Sequence, residues 1–404
     1  MPPSDPTSAT ATLGAIGSAI VGVSAYLDHG ATTPMDPAAL DTMVTLLRTE
    51  YGNPSGAHGV SQSARRVLEE ARDEIAELLG GVAREVVFTG GGTEAINLAI
   101  SGSVASAVPG TVILTSAVEH DAVRNCAMAW RQRGLVHEEI RVDGSGVLDL
   151  VAFKVQLHAL GDRVAVVGVM AVNNEVGTVQ PVRELIELTR SLAPRAVVVV
   201  DAVQAANWLH LPSFTAGADF VAVSAHKFGG PKGTGALLVR EGTPLAPIVF
   251  GGGQERERRS GTQNVAGAAA MATALRAAQA NRVETSQRVG QLRDRLLDGI
   301  LAVVPESFET GARAAKVANN AHVCFAGIES ESLLVLLDDA GISASAGSAC
   351  ASGAVHVSHV LLAMGVPLER ALGSLRLTLG VSTTEAEVDH AMAVIPLAVG
   401  RLRG

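Results

Sequence analysis

At 404 residues the chain is long enough for two or three domains, or for one large α/β unit with a smaller partner. With 48% hydrophobic and only 18% charged residues it has material for a large core and little that reads as disordered, and its net charge of −9 argues against nucleic acid or an anionic membrane as main partner. Three widely spaced cysteines, Cys126, Cys324 and Cys350, form neither a disulfide framework nor a metal-binding spacing, which points to a reducing, cytoplasmic setting and no metal.

The first Lys or Arg is Arg48, so the apolar run 13–23 lacks the basic flank of a secretory signal. It is also too short and too rich in Gly and Ser to span a bilayer. Residues 1–24 read as a flexible extension. Ordered structure is expected from Tyr26-Leu-Asp28-His29, a short strand entering a polar turn. Tyr51-Gly-Asn-Pro-Ser-Gly56 reads as a loop, and a helix follows from Ser63 with Ala64, Val67, Leu68, Ala71, Ile75 and Leu78 on one face. Apolar runs at 86–89, 112–115, 164–172, 196–200, 220–223 and 236–239 predict strands buried on both faces. Helical patterns at 94–101, 121–134 and 182–192 lie between several of them. This alternation predicts an α/β fold, a large domain over residues 35–270 with a mainly parallel sheet flanked by helices. An alanine-rich helical region at 265–304 leads to strands at 321–325, 342–345 and 374–379 and helices at 332–340 and from 384, a smaller α+β domain over 271–404.

Ligands of an open parallel sheet bind beyond the carboxyl ends of its strands, so the residues there carry the argument. Gly90-Gly91-Gly92-Thr93 opens a helix and suits a phosphate, with an ordinary Thr-capped helix start as the alternative. His120 offers a flat ring in a chain with 3% aromatics, or simply a cap. Asn173-Asn174 reads as a turn or as an amide donor. Asp201 ends a buried strand, where an unpaired carboxylate is costly; it is a helix cap or the partner of a cation. The next strand delivers Ser224-Ala-His226-Lys227. Lysine is scarce, with Lys154, Lys227, Lys232 and Lys316 against 27 arginines, and unlike arginine it can lose its proton and attack a carbonyl. An amine, a buried acid, a flat ring and a phosphate cradle together suit pyridoxal 5'-phosphate.

The motifs Tyr26-Leu-Asp-His-Gly-Ala-Thr-Thr-Pro34, Thr89-Gly-Gly-Gly-Thr-Glu94, Glu119-His120, Asn173-Asn-Glu-Val-Gly177, Asp201-Ala-Val-Gln204, Ser224-Ala-His-Lys227, Arg259-Ser-Gly-Thr262, Ser345-Ala-Gly-Ser-Ala-Cys350 and Ser374-Leu-Arg376 occur in this order. In this the chain resembles the cysteine desulfurases, a branch of the class V aminotransferase group with the type I pyridoxal-phosphate fold. The resemblance implies Lys227 as the Schiff-base lysine, Asp201 as partner of the ring nitrogen, Gln204 on the phenolic oxygen and His120 against the ring. Gly92, Thr93, Ser224 and His226 would hold the phosphate, joined by Thr262 from the other subunit of a homodimer. Asn174 and Arg376 would hold the carboxylate of L-cysteine, a task suited to a guanidinium fork. Cys350, in a loop of small residues at about 343–358, would take the sulfur as a persulfide, with His356 and His359 as neighbours able to tune its thiol. Residues 25–34 would pack with the smaller domain. The long-loop form of the cysteine motif implies delivery to an iron–sulfur scaffold or another sulfur acceptor. Gly30, Gly56 and Val357 depart from the family's usual residues. A selenocysteine lyase, a cysteine-sulfinate desulfinase and a non-catalytic scaffold on the same fold are the alternatives.

Overall fold

The computed structural model describes residues 24–346 and 357–404. Strands β2 (Val86–Thr89), β3 (Val112–Ser116), β4 (Val136–Ile140), β5 (Val164–Met170), β6 (Val197–Asp201), β7 (Phe220–Ser224) and β8 (Gly235–Val239) form one sheet in the order β2-β8-β7-β6-β5-β3-β4. Only β8 runs against the rest: it is antiparallel to both β2 and β7, while every other adjacent pair is parallel. The α/β expectation therefore holds. Its strands are continuous apolar runs because helices cover both faces; β3, β7 and β8 are buried at every position.

β4 escaped the sequence reading. Val-His-Glu-Glu-Ile lies at the sheet edge, half-buried and charged, so it lacks the apolar signature of its neighbours. The helix Pro37–Thr49, capped by Asp36 through Ala39 N, and the helix Leu150–Leu160 were likewise not predicted. The alanine-rich region resolves into two helices, Val265–Ala280 and Arg282–Val303, with the boundary residue 270 inside the first. That first helix packs on Pro37–Thr49 and on the helix Gly59–Leu78.

The C-terminal part contributes a three-stranded antiparallel sheet, β12 (Ser374–Thr378), β10 (Asn320–Phe325) and β9 (Ser307–Glu309), in that order. β1 (Ala25–Tyr26) pairs in parallel with β11 (Ile342–Ser343). Beyond β1 the chain runs alongside β12, with Thr378 N donating to Leu27 O and Gly30 N to the Thr378 hydroxyl, and its turn then reaches the carboxyl end of β7. This leg carries backbone from the C-terminal sheet to Lys227.

Candidate active site

A cavity of about 210 Å³ lies at the carboxyl ends of β3, β5, β6 and β7. Its wall includes Gly92, Thr93, His120, Asn174, Asp201, Gln204, Ser224, His226 and Lys227. Nine of the residues singled out in the sequence are thus brought to one place.

Asp201 is the last residue of β6 and is 7% exposed. Its Oδ1 accepts from Val203 N at 3.0 Å. Burial pushes its pKa up, against the Val203 amide and the charges of His120 and Lys227, which favour the ionised form. A second buried acid lies behind it. Glu119 is fully buried and its Oε1 accepts from the Ser116 hydroxyl and, at 2.8 Å, from the N–H of Met170, the residue paired with Asp201 across β5 and β6. Burial lifts its pKa to about 8, so at neutral pH Glu119 is protonated and adds no negative charge beside Asp201.

Lys227 sits in a short 3-10 turn, Ala225–Lys227, directly after β7. Its Nζ donates to Gly30 O at 2.6 Å and to Ala31 O at 2.9 Å, and Gln204 Nε2 shares the Gly30 carbonyl at 2.7 Å. Desolvation, with Arg376 adding to it and Asp201 and Asp28 opposing, brings the ammonium down to about 8. Roughly a tenth of this amine is therefore neutral at pH 7, far more than for an ordinary lysine, as a nucleophilic lysine requires. His226 Nδ1 lies 3.2 Å from the Thr32 hydroxyl. Burial, with Lys227 and Lys232 nearby, pushes its pKa to about 4, so the ring is neutral.

The helix Gly92–Val104 begins without a side-chain cap, with Gly91 at φ 148°. A Cβ at Gly92 would come within 2.6 Å of Val203 Cγ2, so this first turn approaches the wall as only glycine permits. Glu94 does not line this cavity; its carboxylate accepts from Gly90 N at 2.8 Å and pairs with Arg259 at 2.7 Å. His120 caps the helix Asp121–Arg131, its Nδ1 accepting from Ala122 N at 3.0 Å, which puts the N–H of the ring on Nε2.

Residues 25–391 match the family described as aminotransferase class V. The chain is 45% identical over 391 residues to the IscS-like cysteine desulfurase of Mycobacterium tuberculosis, covering 94% of this chain and 97% of that protein. It belongs to the cysteine desulfurase family. Cysteine desulfurase IscS 1 of Archaeoglobus fulgidus is 38% identical, again over 94% and 97%. Among solved structures, a NifS-like protein superposes with a TM-score of 0.87 at 33% identity, covering 94% of this chain and all of that one.

In this desulfurase Arg376, on β12, is 5% exposed and stands at the edge of the site. Its Nη1 donates to Asn174 O at 2.9 Å and its Nη2 to Asp28 Oδ1 at 2.7 Å. In the sequence Asp28 shows only as a carboxylate between Leu27 and His29 at the start of a turn, with no hint of its partner. Glu119 shows in the sequence only as the neighbour of His120. Thr262 is exposed and does not line the cavity of its own chain. Cys350 and His356 lie outside the described residues. His359 is engaged elsewhere: its Nε2 contacts Glu119 O at 3.0 Å, and burial lowers its pKa. Among the described residues no helix is long and apolar enough to cross a membrane.

Proposed function

We propose that this cysteine desulfurase holds pyridoxal 5'-phosphate in the cavity at the strand ends, and converts L-cysteine to L-alanine with the sulfur passing to Cys350. The observation that carries the reading is the convergence on one cavity of a buried acid, an amine brought near neutrality and a glycine-opened helix start. The fit is chemical: a carboxylate buried at the wall with a single amide donor suits a protonated pyridine nitrogen. When bound, the cofactor supplies an aldehyde for attachment to an amine and a ring that spreads negative charge.

Lys227 is the attaching amine, released from the carbonyls of Gly30 and Ala31 when it loses its proton. Asp201 holds the proton on the ring nitrogen, Gln204 donates to the phenolic oxygen, and Gly92, Thr93, Ser224 and His226 hold the phosphate. Thr262 completes that cradle from a second copy, in a homodimer. Lys227 or His120 moves the Cα proton of the substrate. Arg376 and Asn174 bind its carboxylate, Arg376 turning part of its fork from Asp28. The Cys350 thiolate attacks the substrate sulfur; the C–S bond breaks, its electron pair stays on Cβ and takes up a proton. L-Alanine and a persulfide balance this step without an external oxidant or reductant. Residues 35–270 act as the cofactor-holding domain and 271–404 as the smaller domain carrying the Cys350 loop. The persulfide is handed to an iron–sulfur scaffold or another sulfur acceptor in the cytoplasm.

Release of L-alanine and sulfide from L-cysteine in the presence of a thiol tests the reading. The cofactor-loaded enzyme should release both in equal amounts. Lys227→Ala should release neither and should lose the visible absorbance of a lysine-bound cofactor. Cys350→Ala should bind cofactor normally and lose both products; undiminished turnover would overturn the role of Cys350, and failure to take up cofactor would overturn the whole reading.

A further inference from the structure

His322 and Arg376 stand directly opposite each other in the antiparallel β10–β12 ladder, so their side chains share a face. Asn320, two residues along β10, shares it too. All three are buried, at 0%, 5% and 2% exposure for His322, Arg376 and Asn320. Each has used part of its hydrogen-bonding capacity. Arg376 gives its two terminal nitrogens to Asn174 O and Asp28, Asn320 Nδ2 donates to Glu175 O at 2.8 Å, and His322 Nδ1 lies 3.1 Å from the Thr310 hydroxyl. Each also keeps one buried polar atom without a partner: Arg376 Nε, Asn320 Oδ1 and His322 Nε2.

The three atoms are complementary. Arg376 Nε–H is a donor and Asn320 Oδ1 an acceptor. His322 is flanked by the cations Lys316 and Arg376, which, after burial, keep its ring neutral. With Nδ1–H directed at Thr310, its Nε2 is a second acceptor. A single water could accept from Arg376 and donate to the other two, the three bonds usual for a buried water. Orphaned buried polar atoms are rare, and three on one face of the β10–β12 pair are better explained together than separately.

We propose that Asn320, His322 and Arg376 enclose a buried water site, and that His322 is thereby a positioning residue that aims the Arg376 fork at the substrate carboxylate. The second half rests on the carboxylate-binding role proposed above for Arg376. Asn320 ties the same site to the Asn174–Glu175 turn, so the water joins both substrate-binding segments.

The test combines a high-resolution crystal structure of the cofactor-loaded enzyme with His322→Leu, His322→Gln and Arg376→Lys. The crystal should show one ordered water within hydrogen-bonding distance of all three atoms. His322→Leu should raise KM for L-cysteine about tenfold with kcat nearly unchanged, and should weaken calorimetric binding of L-alanine by about the same factor. His322→Gln, which returns a polar group at the Nε2 position, should recover most of the loss. A dry site, or three atoms satisfied by other groups, overturns the water site. Unchanged L-alanine affinity in both His322 variants, with a loss in Arg376→Lys, overturns the positioning role and leaves the carboxylate reading intact. Unchanged affinity in Arg376→Lys overturns that reading, while the crystal still decides the water. Should His322→Leu fail to fold, His322→Phe, which also lacks a polar group at the Nε2 position, takes its place in these comparisons.

Discussion

Replacing Arg72 by Met tests how the segment bearing Arg259 and Thr262 is held against β2, the strand that leads into the glycine turn. Arg72, on the helix Gly59–Leu78, makes a two-pronged ion pair with Glu255 at 2.6 and 2.8 Å, with side-chain exposures of 2% and 1%. Arg72 also donates to Val86 O at 2.9 Å and lies 4.7 Å from the Phe88 ring centroid, while Glu255 accepts from Phe88 N at 3.0 Å. The pair therefore clamps the segment to β2, the strand that ends at the glycine turn. Burial alone would raise the Glu255 pKa, but Arg72, Phe88 N and Gln263 outweigh it and hold the carboxyl below its ordinary value. Glu255, Arg256 and Glu257 all have left-handed backbone, with φ of 49°, 57° and 64°, a conformation that costs each roughly 1 kcal/mol and persists only under such constraint. Removing one partner of a buried pair costs about 3–5 kcal/mol, and the orphaned Val86 carbonyl adds about 1 kcal/mol. Urea unfolding of Arg72→Met should show that loss, and trypsin should cut faster at Arg256, Arg258 and Arg259. The double variant Arg72→Met with Glu255→Leu should recover most of the stability, because it leaves no buried charge. A single-variant loss below about 1 kcal/mol, or a double variant no more stable than the single, would refute the clamp.

Asp201→Asn should leave the unliganded chain as stable or slightly more stable, since a buried acid with a raised pKa is removed, yet should weaken cofactor binding at least about tenfold; equilibrium dialysis giving equal affinities would contradict it. Asp28→Asn should cost about 1–3 kcal/mol by leaving Arg376 without its carboxylate. It should also shift the lysine titration at the active site further down, because Asp28 supports the Lys227 ammonium; an unchanged titration would exclude that coupling. His322 has a pKa near 3 in the fold and an ordinary value of 6.5, so between these the unfolded chain binds a proton that the folded chain does not. Stability is then lost as pH falls below about 6.5, at about 1.4 kcal/mol per pH unit for this one group. His322→Gln should therefore lose about 2 kcal/mol less than the wild type between pH 6.5 and pH 5, and parallel stability curves for the two proteins would refute the assignment.

Much of the site was readable because strands buried on both faces are written as unbroken apolar runs. Against Val-Val-Val-Val the terminal Asp201 stands out, and against Phe-Val-Ala-Val so do Ser224, His226 and Lys227. The edge strand β4 has no such contrast, and the helix Leu150–Leu160 mixes buried Phe153 and Leu157 with exposed Val151 and Val155, which blurs its period.

The α/β order, and the gathering of Thr93, His120, Asp201, Ser224, His226 and Lys227 at one end of a sheet, follow from local pattern, whereas Gln204, Thr262, Arg376 and Cys350 stand out only through the family resemblance. Pairing follows from neither. Asp28 meets Arg376 across 348 positions, Arg72 meets Glu255 across 183, and His322 faces Arg376 only through the register of two strands. A side chain's type and period are set by its neighbours in sequence, whereas its partner is set by how distant segments pack, and a shift of one residue in register would turn His322 to the other face. Tertiary structure alone decided that the arginine and the lysine of this site are both steadied by the chain's N-terminal leg, Arg376 by the Asp28 carboxylate and Lys227 by the carbonyls of Gly30 and Ala31.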